Sequence, residues 1–290
     1  MKILVTGAKG FVGKNLCCQL NNIKEGKARC YGDLQVDEVF EYDIDSTPEQ
    51  LDSWCGECDF VFNLAGVNRP KDNDEFMKGN FGFASTLLDT LKKHHNTCPV
   101  MLSSSQQASL TGRFGNSEYG RSKKAGEDLF LEYGKETGAK VLVYRFPNLY
   151  GKWCRPNYNS AIATFCNNIA NDLPIQVNDR SVQMEILYID DLARGMAALC
   201  EAPESAFEGL ENPVFNFGGA ETKVLKEFVE EIHELCGGQG ESRYNTRGEN
   251  AEGLINLMPS IEKLKTVTGW RPEIDFKTGI SRMIALRKRT

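Results

Sequence analysis

Short apolar runs alternate with amphipathic stretches through the first half of the chain. Runs at 2–6, 38–42, 59–64, 99–103 and 140–146 predict strands. Most show little apolar–polar alternation, as expected where both faces are buried. Between them, apolar residues recur every three to four positions over 11–20, 75–95 and 119–137, which predicts helices. Strands separated by helices imply a parallel sheet covered on both faces. Past Pro147 the rhythm changes. Residues 153–159 are rich in aromatics and Asn and predict a loop over a site. Further helices are predicted over 161–171, 190–200, 223–235, 259–266 and 276–286, with strands over 186–189 and 214–217. The polar, glycine-rich stretch 237–253 reads as a loop. The expected architecture is α/β, a doubly wound parallel sheet from 1–146 plus 186–218. A smaller C-terminal lobe is expected from 147–185 plus 219–290.

Composition narrows the partners. The 290 residues carry a net charge of −6, with 41% hydrophobic and 26% charged residues. Such an acidic balance argues against nucleic acid, whose phosphates attract basic surfaces. No apolar run approaches a membrane span, and Met1 leads straight into the first strand with no secretory signal pattern. A cytoplasmic protein is expected, with its ten cysteines reduced. Cys55 and Cys58 have CxxC spacing but lack a second pair or a nearby His, so no metal is assigned.

The first strand runs into Thr6-Gly7-Ala8-Lys9-Gly10-Phe11-Val12-Gly13, a TGxxGxxG turn that opens the first helix. Glycines there allow a tight turn and close backbone approach, and the helix N-terminus offers N–H groups to a pyrophosphate. That strand–turn–helix context marks a Rossmann dinucleotide fold. Gly7, Gly10, Phe11, Val12 and Gly13 are candidate cofactor contacts. A carboxylate at the end of the second strand hydrogen-bonds a ribose 2′-hydroxyl, whereas an Arg there accepts a 2′-phosphate. Residues 38–45 end in acids and contain no basic residue. This favours NAD, with NADP as the alternative, and points to Asp43 and its neighbour Ile44.

Tyr119 and Lys123 form a YxxxK pair at the start of a helix, where i and i+4 share one face. A nearby ammonium and the positive charge of a bound cofactor are expected to draw the phenol down from its ordinary pKa of about 10. The pair follows Leu102-Ser103-Ser104-Ser105 at a strand end. A serine hydroxyl there can orient a reacting oxygen.

Together, TGxxGxxG, Leu64-Ala65-Gly66, Asn80, Ser105, Tyr119 and Lys123 resemble the extended short-chain dehydrogenase/reductase family. The resemblance implies that Tyr119 is the general acid/base and Lys123 holds the nicotinamide ribose. It makes Ser105 the orienting serine and gives Ser103 a structural or cofactor-contacting part. Leu64, Ala65, Gly66 and Asn80 become further cofactor contacts. Residues 1–195 resemble more closely the reductase half of bacterial capsular UDP-6-deoxy-talosamine synthases. Gly66-Val67-Asn68-Arg69-Pro70, the segment from Pro147 to Cys154 and Pro156-Asn157-Tyr158-Asn159-Ser160 carry that likeness. Those enzymes add a C-terminal cupin domain, which this chain is expected to lack. From about Cys200 the likeness is to nucleotide-sugar epimerases, through Asn216-Phe217-Gly218-Gly219 and Gly269-Trp270-Arg271-Pro272.

The implied chemistry is hydride transfer at C4 of a nucleotide-linked hexose, with a UDP-hexosamine as the expected substrate. Dehydration would need an Asp-Glu pair after the serine, and Gln106-Gln107 stand there instead. A UDP-sugar 4-epimerase is the first expectation and an NAD(P)H-dependent 4-keto-sugar reductase the alternative. A non-catalytic NAD-binding redox sensor is a third class, against which the intact Ser105, Tyr119 and Lys123 set argues. Asn148, Lys152, Asn157, Arg180 and Arg247 are candidate substrate contacts, the arginines because their forks match a diphosphate. The family also implies a homodimer through the helices bearing Asn80 and Tyr119.

Overall fold

The computed structural model describes residues 1–28, 34–66, 81–158, 160–210, 212–238, 240–244 and 259–287. In chain order the first elements are β1 (Lys2–Thr6), α1 (Phe11–Lys24), β2 (Glu38–Tyr42), α2 (Pro48–Glu57), β3 (Phe60–Asn63), α3 (Phe83–Lys93) and β4 (Val100–Ser105). Next come α4 (Glu118–Thr137), β5 (Val141–Phe146), β6 (Asn148–Tyr150), α5 (Ala161–Ala170), β7 (Ile175–Val177), β8 (Gln183–Tyr188) and α6 (Ile189–Glu201). The last are β9 (Val214–Asn216), β10 (Thr222–Val224), α7 (Leu225–Cys236), β11 (Ser242–Tyr244), α8 (Glu262–Thr268) and α9 (Phe276–Arg287).

The chain divides into two compact units. The first comprises Met1–Phe146, Ala193–Phe217 and Ser260–Trp270. The second comprises Pro147–Leu192, Gly218–Pro259 and Arg271–Thr290.

The first unit holds a parallel six-stranded sheet in the order β2-β1-β3-β4-β5-β9. This is the doubly wound Rossmann sheet expected from the sequence. Ile3, Leu4 and Val5 of β1 are fully buried, as is all of β3. Strands β2 and β3 flank β1 on opposite sides, so the strand order reverses there. Ligands of such sheets bind beyond the C-terminal strand ends at this switch point. One helix, α2, has no counterpart among the expected elements. Its start is nevertheless written locally: Thr47 and Gln50 form a capping box, with Pro48 in the first turn.

The unit boundaries differ from the expected ones at two places. Residues 186–188 belong to β8, which pairs with β6 and β10 in the second unit. Segment Ser260–Trp270 joins the first unit. There the fully buried Trp270 packs edge-on against Phe217, ring centroids 5.3 Å apart. Gly195 makes room for both: a Cβ there would lie 2.6 Å from the Phe217 ring and 2.9 Å from Trp270.

The second unit contains the sheets β10-β8-β6 and β11-β7 around an apolar core that includes Tyr150, Phe165, Tyr188, Phe228, Phe276 and Ile280. Gly219 lets two backbones meet, since a Cβ would stand 2.1 Å from the Ile186 carbonyl oxygen. Asp191 is fully buried, and its carboxylate accepts from the amides of Glu273 at 3.0 Å and Ile274 at 2.8 Å. No helix among the described residues is long and apolar enough to cross a membrane.

Candidate active site

The glycine turn is a close-packed backbone joint. Gly7 has φ +68°, and a Cβ on it would lie 2.7 Å from the Ala65 nitrogen. A Cβ on Gly13 would lie 2.1 Å from the Gly7 carbonyl oxygen. Only glycine fits either position. Gly10 caps α1 without a side-chain bond, and Phe11 and Val12 open the helix with no acid in its first turn. The N–H groups there and the helix dipole therefore suit an anion. Thr6 ties the joint to β3: its hydroxyl bonds the Asn63 side chain at 2.6 Å and accepts from the Ala65 amide at 3.3 Å. The Leu64 amide donates to the Thr6 carbonyl at 3.1 Å. Leu64, Ala65 and Gly66 thus follow β3 beside the turn.

Asp43 stands at the end of β2 against the same turn. Its carboxylate accepts from the Lys9 amide at 2.7 Å and from the Ile44 amide at 2.8 Å. Ile44 is 99% exposed. A carboxylate has about four lone-pair sites, so accepting capacity remains. The Lys9 ammonium pairs with Asp45. The strand end is therefore not free of basic residues, because the glycine turn contributes one. That neighbour was hidden from the reading of 38–45 alone.

Two strands over from β1 and parallel to it, β4 carries the three serines into the loop before α4. The Ser105 hydroxyl accepts from the Gln107 amide at 3.2 Å and shares a hydrogen bond with the Tyr119 phenol. The side chain of Ser117, the N-cap of α4, accepts from the Gly120 amide at 2.9 Å and donates to the Gln107 side-chain oxygen at 2.8 Å. A Cβ on Gly120 would stand 2.5 Å from the Gln107 carbonyl oxygen. This clasp fixes the first turn of α4, and hence Tyr119, against Ser105. Gln106 donates to the Phe217 carbonyl at 3.3 Å. The two glutamines serve as structural amides where dehydration would need carboxyl groups.

Lys123 lies one helical turn beyond Tyr119. Its buried ammonium donates to the Ser103 carbonyl at 3.1 Å and sits 5.8 Å from the centroid of the Tyr119 ring. Burial pushes it down to about 8, with Glu127 acting the other way. The expected effect on Tyr119 is corrected here. Burial pushes the phenol up to about 12, opposed only by the Ser105 hydrogen bond. The ammonium faces the Ser103 carbonyl, and desolvation outweighs any pull it exerts on the phenol.

The substrate candidates belong to the second unit. Asn148 is exposed on β6, paired in register with Ile186. The Lys152 ammonium lies 3.7 Å over the Trp153 ring. Asn157 adopts φ +57° and its amide donates to the Thr164 hydroxyl at 2.8 Å. Arg180 is exposed, and its carbonyl accepts from the Lys226 amide at 3.1 Å. Asn80 and Arg247 lie outside the described residues. The parts played by Lys9 and Gln107 were not read from the sequence, and Ser117, Glu127 and Arg145 went unnoticed in it.

A glycine joint that admits no side chain, at the switch point of a parallel sheet, with a serine–tyrosine–lysine set along β4 and α4, is the arrangement the sequence resemblance implied. The model of the NAD dependent epimerase/dehydratase family matches residues 3–218. The chain belongs to that family. One relative within reach of it is the UDP-2-acetamido-2,6-beta-L-arabino-hexul-4-ose reductase of Pseudomonas aeruginosa. It is 42% identical over 194 residues, covering 67% of this chain and 48% of the relative. The chain thus spans about half the length of that reductase. The solved structure of the capsular polysaccharide assembling protein CapF from Staphylococcus aureus is similar at 39% identity and TM-score 0.63, over 81% of this chain and 58% of that one. The UDP-glucuronic acid 4-epimerase of Bacillus cereus, solved with NAD, shares the fold over the whole chain. Its TM-score is 0.80 at 21% identity, over 100% of this chain and 99% of that one.

Proposed function

We propose that this protein is a cytoplasmic nucleotide-sugar oxidoreductase that moves hydride at C4 of a UDP-hexosamine with NAD(P). The observation that carries this reading is the hydrogen bond between the Tyr119 and Ser105 hydroxyls, with the Lys123 ammonium buried one turn away.

The residues present fit a dinucleotide. Gly7, Gly10, Phe11, Val12 and Gly13 would take its pyrophosphate, at a turn where a Cβ on Gly7 or Gly13 would run into backbone. Asp43 and Ile44 would take the adenosine end, and Leu64, Ala65, Gly66, Asn80 and Ser103 would line the rest. The Lys9 ammonium, paired with Asp45 at this strand end, offers a positive charge to a 2′-phosphate as well, so NADP is admitted. When bound, the cofactor accepts or gives the hydride, and its oxidised ring carries a positive charge that favours tyrosinate. Ser105 would orient the C4 oxygen. Tyr119 would take the C4 hydroxyl proton on oxidation and return one on reduction. Lys123 would hold the ribose hydroxyls through its ammonium. Asn148, Lys152, Asn157, Arg180 and Arg247 would hold the sugar diphosphate, and α3 and α4 would pair two copies.

Two outcomes share this step, each favoured by its own observation. Asp43, free of an adjoining Arg, favours NAD retained through a cycle and hence 4-epimerisation. The 42% identity to a 4-keto-sugar reductase favours reduction with fresh cofactor. Mass spectrometry of the purified protein, followed by incubation with UDP-hexosamines, separates them. Co-purified NAD and interconversion of C4 epimers without added cofactor support epimerisation. An empty site, with NADPH or NADH consumed by a 4-keto UDP-sugar, supports reduction. Absence of hydride transfer to any nucleotide sugar would remove the proposal.

A further inference from the structure

One buried charge has no part in the chemistry just described. Glu127 is 1% exposed and follows Tyr119 and Lys123 at successive i+4 steps, so the three share a face of α4. One carboxylate oxygen accepts from the Ser104 hydroxyl at 2.6 Å and from Arg145 Nε at 2.8 Å. The other accepts from Arg145 Nη2 at 2.6 Å. Arg145 sits on β5 in register with Ser104 on β4, one residue before the Ser105–Phe146 pair. A bidentate fork compensates a buried carboxylate. The Ser104 bond goes further, tying that carboxylate to the strand end that carries Ser103 and Ser105.

Lys123 needs such a neighbour. Its ammonium is buried, and among the described residues the groups facing it are few. They are Tyr119 and Glu127 on its own helix, the Ser103 carbonyl on β4 and, behind Glu127, Arg145 on β5. The other charges of this part of α4 pair off at its exposed surface, Glu118 with Arg121 and Lys124 with Asp128. Glu127 opposes the loss of the Lys123 proton that burial favours.

We propose that Glu127 is a positioning residue: clamped by Arg145 and Ser104, it is the buried counter-ion that holds the Lys123 ammonium against the end of β4. The inference rests on the hydride-transfer reading of Tyr119 and Lys123. Without Glu127, the same buried amine would shed its proton nearer neutrality. Neutral Lys123 would neither hold ribose hydroxyls by charge nor support a tyrosinate.

The test titrates Lys123 directly by NMR of the full-length protein carrying ¹³C-labelled lysine, with its signal assigned by its loss in Lys123→Met. Three variants are compared: Glu127→Gln, Glu127→Gln combined with Arg145→Met, and Glu127→Asp. The double variant removes the unpaired Arg that could unfold the single one. We expect the Lys123 midpoint to fall by about one pH unit in Glu127→Gln, by less in the double variant, which also removes the Arg145 cation, and to stay near its original value in Glu127→Asp. The alkaline limb of kcat should move down by the same amount, with KM for the nucleotide sugar unchanged. An unmoved Lys123 midpoint in folded Glu127→Gln as well as in the double variant, with activity lost only as melting temperature falls, would overturn the proposal. The titration needs no turnover. A shifted midpoint in a protein inert towards every nucleotide sugar would count against the functional reading, whereas an unshifted midpoint in an active enzyme counts against this one.

Discussion

The two units keep their polar side chains in different places. Thr6, Asn15, Asn63, Ser103, Ser104, Ser122, Lys123 and Glu127 are buried in the first unit, whereas Ser160 and Asp191 are their counterparts in the second. Burying a polar group costs free energy unless a partner satisfies it. In the first unit Thr6 and Asn63 tie β1 to β3, and the partners of Ser104, Ser122, Lys123 and Glu127 help fix the end of β4 and the turn of α4 that present Ser105, Tyr119 and Lys123. In the second, the candidate substrate residues Asn148, Asn157 and Arg180 are exposed on a scaffold held mainly by its apolar core. Chemistry is therefore expected where polarity is locked in, and recognition where it is left accessible.

That contrast can be broken most forcefully in the first unit. Lys123→Met should lower kcat by about 10²–10⁴-fold without destabilising the fold. Burial pushes the folded ammonium down to about 8 from its ordinary 10.5. Its burial therefore destabilises wild type fully below pH 8, and the penalty is relieved as pH rises from 8 to 10.5. The Met variant should gain on the order of 3 kcal/mol at pH 7, and the gain should vanish above pH 10.5. Urea denaturation across that range measures it. A variant less stable than wild type at pH 7 would contradict the assigned burial.

Next in size is Trp270→Ala, which empties the space above Gly195 and should cost about 3–5 kcal/mol by the same assay. In the second unit, Asp191→Ala leaves the amides of Glu273 and Ile274 without their acceptor and should cost about 1–3 kcal/mol. The smallest stability effect sharpens the comparison. Arg180→Ala should change stability by less than about 0.5 kcal/mol yet raise KM for the nucleotide sugar. A large loss of stability there would mean that the second unit's exposed polar residues also hold its fold.

What could be read in the sequence followed its local spacings. The glycine turn, the serines ending β4 and the Tyr119–Lys123 step each depend on residues a few positions apart. The parallel order followed from alternation alone. Partners set by the sheet were beyond reach. Arg145 meets Glu127 across 18 residues, and Lys9 meets Asp45 across 36. Of the three-residue strands, β9 was marked by its apolar run, whereas β6, β7, β10 and β11 are too short to show a period. The direction of the Tyr119 shift was misread for a related reason. Helical spacing places an ammonium near a phenol, but how deeply the phenol is buried is a property of the fold.

The central claim is that the Tyr119 phenol carries the proton in hydride transfer. It is tested most directly with Tyr119→Phe, by following nicotinamide absorbance in a single turnover with a UDP-hexosamine while measuring cofactor affinity separately. The account predicts unchanged cofactor binding and hydride transfer slowed by at least about 10²-fold. Transfer at the wild-type rate, with cofactor still bound, would contradict it.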